Sequence, residues 1–230
     1  MIPKELNHSS LHYSILKHIV DVGYAPSIKK LAGQFNTLET NVLAALKALQ
    51  DYHGVVLHPH NSEVWVIHPF SLAPTNFLLR KGEMEWWGNC AWCSLGAAAL
   101  LGGSVVITTT LANSSKQIRL HIQDGHLLDK DFYVHFPIPM TDVWNNVIFT
   151  CSTMLLFDDE NEVEAWSTRH NIPRGDIQTV EKIFEFAKVW YGNHLNSEWQ
   201  KWTLKESKAI FTQFELTHPV WHIPDSDGHF

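Results

Sequence analysis

The order of its hydrophobic periodicities constrains this chain more than any other feature. Leu11, Ile15, Leu16, Ile19 and Val20 recur at helical spacing and define one apolar face. Gly23 and Pro26 interrupt that pattern, and Ser27 is placed to cap a short helix running to Phe35. Leu38, Val42, Ala45, Leu46 and Leu49 give a third helix. The runs Val55-Val56-Leu57 and Val64-Trp65-Val66-Ile67 then flank His58-Pro59-His60-Asn61-Ser62, the pattern of a hairpin. Residues 68–75 carry Pro69 and Pro74, which disfavour regular structure and mark a linker.

Three helices followed by a two-stranded wing form the winged-helix pattern, here assigned to residues 1–70. Residues 71–230 read as a second domain. Phe77-Leu78-Leu79 opens it, and the β-branched residues 105–110 form a strand. Ile118, Leu120 and Ile122 alternate with Arg119 and His121 in a further strand, and Asp124-Gly125 makes a turn. Tyr133-Val134-His135-Phe136 is a strand ended by Pro137 and Pro139, and the apolar run 150–157 predicts a buried strand. Residues 160–168 and 177–191 read as helices, the second with Val180, Ile183, Phe184, Ala187 and Trp190 on one side. Trp199, Trp202, Phe211 and Trp221 in the tail are assigned to packing. The expected fold class is therefore α+β, a winged-helix-like helical domain followed by a mixed or antiparallel β-sheet domain with flanking helices.

Charge and length exclude several roles. Residues 1–68 hold five Lys, no Arg and five acids, and the third helix offers one base, Lys47, against Glu39. Groove readout wants a basic surface, and Asn41 and Gln50 alone do not supply it, so nucleic acid is not an expected partner. The whole chain, at −7 with His neutral, gives the same answer. No run approaches the roughly 20 apolar residues of a membrane span, and residues 1–7 lack an apolar signal core. Three cysteines, an odd number without a secretion signal, point to reduced thiols in a cytoplasmic setting.

Chemistry concentrates in Glu85-Trp86-Trp87-Gly88-Asn89-Cys90-Ala91-Trp92-Cys93-Ser94-Leu95-Gly96. Cys90 and Cys93 make a C-x-x-C ahead of a helix over 95–101 that Gly102-Gly103 stops. Unpaired N–H groups at a helix start favour thiolate. A structural zinc site would need a second pair, and only Cys151 remains. A thioredoxin-like motif would follow the first strand of a βαβ unit, whereas this one follows the helical module.

Ala91-Trp92-Cys93-Ser94-Leu95 resembles the Ala-Trp-Cys-Ala-Leu-Asp motif of the alkylmercury lyase family. Phe149-Thr150-Cys151, with Phe157 and Trp166 beyond it, resembles a second block of that family, and the preceding helical module matches its domain order. The resemblance spans residues 11–166. It implies protonolysis of a carbon–mercury bond, giving a hydrocarbon and Hg(II). Two thiolates capture the soft cation, and an acid relays a proton to the leaving carbon. Carried over, Cys93 matches the first thiol and Cys151 the second, while Trp92 and Trp87 are placed to wall an alkyl group. No separate cofactor is implied. The implied partners are a small organometallic substrate and the small thiols, or a mercury-accepting protein, that take the Hg(II).

The chain departs from the pattern where the family's aspartate falls on Gly96. Another family cysteine falls near Leu111, and Cys90 is extra. Ser94 is a poor acid, so Cys90, one helical turn before Cys93, becomes a candidate third thiol and proton source. Read alone, Cys151 in an apolar run also fits a buried small hydrophobe, and the two tryptophans also fit core packing. Three functions follow: an organomercurial lyase, a thiol protein that binds a soft metal or organometal without cleaving it, and a winged-helix thiol sensor.

Overall fold

The computed structural model describes residues 5–114, 116–225 and 230. The stretch 1–7, read above for a leader, lies partly outside them. Asn7 and Ser10 form a capping box that starts α1 (His8–Val22), and Gly23 ends it in the left-handed conformation, φ 84°. Ser27 accepts from the Lys30 N–H and starts α2 (Ile28–Phe35), and α3 (Glu39–Asp51) follows. The hairpin β1 (Val56–Leu57) and β2 (Val64–Ile67) comes next, in the order read from the sequence. Gln50, weighed above as a base reader, instead accepts from the Leu57 N–H and ties α3 to β1.

The expected linker is partly strand. β3 (Phe70–Ser71) pairs with β2 on one side and β5 (Met84–Gly88) on the other, so the hairpin continues into the main sheet. Its ladder uses N–H groups between the two prolines, which neither ring removes. β5 is a strand that the sequence reading does not assign. Then come β4 (Phe77–Lys81), α4 (Ala91–Leu101), β6 (Val105–Thr110), β7 (Gln117–Gln123) and β8 (His126–Leu127). Among the described residues these make one antiparallel sheet in the order β1-β2-β3-β5-β4-β6-β7-β8. A second antiparallel sheet orders β10 (Leu156–Phe157), β9 (Tyr133–Phe136) and β11 (Asp176–Thr179).

The apolar run 150–157 is a strand only at its end. Its first half lies in α5 (Val147–Thr153), which follows a 3-10 turn, Met140–Asn145. Asn146 accepts from the Phe149 N–H as cap. Val147, Thr150 and Cys151 face inward at helical spacing, while Ile148 and Phe149 face solvent. The chain continues through α6 (Glu160–His170) and α7 (Val180–Tyr191), then α8 (Leu204–Gln213). Residues 177–179, expected in α7, belong to β11, and Thr179 caps the helix by accepting from the Lys182 N–H at 3.3 Å.

α4 is the centre of the molecule, buried at nine of its eleven residues. It packs on the β4–β6 part of the sheet and against α7. Small residues permit that closeness: an added Cβ on Gly88 would lie 2.1 Å from Ser94 Oγ. Trp86 donates its indole N–H to the Ile19 carbonyl at 2.8 Å, anchoring the helical module to β5. Phe211 and Trp221 join the aromatic core around Trp92 and Phe186. No helix among the described residues is long and apolar enough to cross a membrane.

Candidate functional site

The start of α4 places two sulfurs together. Cys90 is the N-cap, and its Sγ accepts the Cys93 N–H at 3.3 Å, a capping bond normally made by an oxygen. Cys93 lies in the first turn, where the helix dipole favours negative charge. Ser94, which follows, donates its hydroxyl to the Cys90 carbonyl at 2.6 Å and has no proton to spare.

α5 brings the third sulfur. The sulfurs of Cys93 and Cys151 and one ring nitrogen of His68 all lie within 4.8 Å of one another. With metal–sulfur bonds of about 2.3 Å, as in zinc thiolates, one cation spans two sulfurs up to about 4.6 Å apart. His68, between β2 and β3, accepts from Asn89 Nδ2 at 3.1 Å and stands 3.8 Å from Cys151 Sγ. Cys90 Sγ points to Met154 Sδ at 3.8 Å. The Tyr191 hydroxyl, at the end of α7, is 3.4 Å from Cys93 Sγ.

These groups line one cavity of about 70 Å³, room for a few water-sized atoms. Its walls come from the whole chain: His12 and His53 from the helical module, Trp144 before α5, and Trp199, Lys201 and Phe230 from the tail. Its described lining contains no Asp or Glu side chain. Trp92 reaches the cavity, with its ring 5.0 Å from Phe186 and its indole N–H unpartnered. Trp87 does not reach it. Strand alternation turns Trp86 inward and leaves Trp87 half-buried on the opposite face of β5.

The three thiols are electrostatically unequal. Burial pushes the Cys93 thiol up, but hydrogen bonds from Cys151 and Cys90, the His68 ring and the Tyr191 hydroxyl outweigh it and hold Cys93 well below its ordinary value. Burial holds the Cys90 thiol well above its ordinary value. Hydrogen bonding to Cys90 and Cys93, then burial, raises Cys151. Of the three, Cys93 therefore ionises most readily, while Cys90 and Cys151 hold their protons more tightly. Burial also lowers His68 and brings His194 to about 3, so these rings are neutral. Lys201 falls to about 8 for the same reason.

The sequence reading missed His68, Tyr191 and the tail's share of the walls. Tyr191 was legible: it lies seven residues after Phe184 and four after Ala187, on the face already assigned to the core. His68 had no local signal, because its partners come from residues 89, 93 and 151. Trp199 and Trp202, assigned to packing, also face the cavity.

Residues 70–192 match the family MerB, alkylmercury lyase, over more than half of the chain. A crystal structure of the mercury-bound form of MerB2 shares the fold with a TM-score of 0.65 at 17% identity, covering 83% of this chain and 100% of that one. No curated relative matches the chain. The two sulfur-bearing helices and strands β3 to β11 fall inside the matched stretch, and the chain belongs to the alkylmercury lyase family.

Proposed function

We propose that this protein is an organomercurial lyase that grips mercury between Cys93 and Cys151. The observation that carries this reading is the convergence of two sulfurs and a histidine nitrogen within 4.8 Å in one cavity. A soft cation prefers thiolate, and Cys93 is the thiolate that meets it first. Cys151 then binds mercury and gives up its proton. The second sulfur adds electron density at mercury, the carbon–mercury bond weakens, and a proton delivered to that carbon completes cleavage. One thiolate, one thiol and one organomercury cation thus balance as a hydrocarbon and a neutral mercury dithiolate. Small thiols or an accepting protein then remove the Hg(II).

Cys90 is a third sulfur beside the pair, and Trp92 is a wall against the organic group. The winged-helix-like module serves as a wall too, through His12, His53 and His68, rather than as a reader of DNA.

One observation favours a second reading, capture without cleavage: glycine stands at position 96 and the described lining has no Asp or Glu side chain. Purified protein incubated with methylmercury or phenylmercury in excess small thiol separates the two. Release of methane or benzene, abolished by Cys93→Ser and Cys151→Ser, is the expected result. Stoichiometric mercury binding with no hydrocarbon selects capture.

A further inference from the structure

Position 96 lacks an acid for a steric reason. A Cβ added to Gly96 would lie 2.0 Å from Tyr191 Cδ2 and 2.6 Å from Cε2, so the tyrosine ring occupies the volume that any side chain at 96 would need. The same ring carries its hydroxyl to 3.4 Å from Cys93 Sγ. Tyr191 is 3% exposed, held between the rings of Trp92 and His194 at 5.6 and 5.0 Å. Ser94, the other hydroxyl beside Cys93, is engaged on the Cys90 carbonyl.

We propose that Tyr191 replaces the missing carboxylate, and that its hydroxyl passes the proton to the carbon leaving mercury. This rests on the lyase reading above. The carbon–mercury electron pair takes the phenolic proton and becomes the new carbon–hydrogen bond. Mercury stays on the two sulfurs. The phenolate recovers the proton that Cys151 lost on binding mercury, so Tyr191 ends as it began and no other reactant is consumed. Gly96 is the other half of the device, because it leaves the space into which the ring fits.

The test uses the full chain, phenylmercury and excess small thiol, with benzene release measured alongside protection of the cysteines from alkylation. Tyr191→Phe keeps the ring against Gly96 and removes only the hydroxyl. Its thiols should stay protected by mercury while single-turnover benzene release slows by about 10² or more, within the 10²–10⁴ that a positioned acid contributes. Gly96→Asp combined with Tyr191→Ala restores a carboxylate in the vacated space and should recover rate relative to Tyr191→Phe. A Tyr191→Phe rate within about threefold of the unmodified chain overturns the proposal, being far short of that contribution. So does a double variant that binds mercury and stays as slow, or a Cys90→Ser variant that stops release while Tyr191→Phe does not. If the unmodified chain protects its thiols yet releases no benzene, the lyase reading itself fails and takes this proposal with it.

Discussion

α4 and α5 each bring a sulfur to the same cavity, and they are built in opposite ways. α4 is buried along nearly its whole length, capped by a cysteine, and locked between the sheet and α7. α5 is a seven-residue helix with Ile148 at 43% and Phe149 at 48% exposure. Segments with few buried contacts open more readily than core elements. On the proposed reading, the contrast makes Cys93 the fixed anchor and puts Cys151 on the more easily displaced element. The electrostatics follow the same division, with Cys93 lowered and Cys151 raised from the ordinary thiol value.

The largest expected effect comes from removing the anchor. Cys93→Ser should lose both mercury capture and hydrocarbon release, exceeding the roughly 10–100-fold cost of losing an outer partner of a metal ligand. Cys151→Ser should still capture an organomercurial at Cys93 but release no hydrocarbon, as seen by gas chromatography beside thiol counting. Equal loss of capture in both variants would erase the division between the helices.

Packing around the anchor comes next. Alanine is the better helix former, yet Gly96→Ala should destabilise the fold by about 1–3 kcal/mol, because Tyr191 has no room to yield. Urea unfolding measures it, and a stabilised variant would show that α4 and α7 are less tightly apposed than described.

Acid should act on the cavity between the helices. His194 is buried with a folded value of about 3, lowered first by burial and then by His68. Above the ordinary histidine value of about 6.5 both folded and unfolded chains are neutral there. Below it the unfolded chain takes up a proton that the folded chain refuses, so stability falls as pH drops, by about 1.4 kcal/mol per unit from this group. Unfolding midpoints at pH 7 and pH 5 should show the loss, and His194→Gln should make it shallower. An equally steep variant would remove His194 from the account.

The smallest effect belongs to the exposed side of α5. Phe149→Ser should change stability by no more than about 0.5 kcal/mol, as exposed substitutions do. A larger loss would mean that this face is covered.

How much of this was legible depended on whether the signal was local. The α1–α3 faces, the hairpin and β6–β7 carry their periodicity in neighbouring residues, and the structure follows them. The Cys93–Cys151 pairing came from resemblance to a family, since periodicity says nothing about residues 58 positions apart. α5 was misread because a short apolar run fits strand and helix alike, and the Asn146 cap and outward Ile148 and Phe149 decided it. Gly96 read as a deletion of function until the ring of Tyr191, from a distant helix, was seen to fill its place.

The walls of the cavity run from His12 to Phe230, well outside the stretch 70–192 that marks the family. A clone trimmed to that stretch would keep all three sulfurs and lose most of the shelter around them. Its thiols would then meet oxidants and stray metals directly, so anyone transplanting this sulfur pair into another scaffold must carry the enclosure along with it.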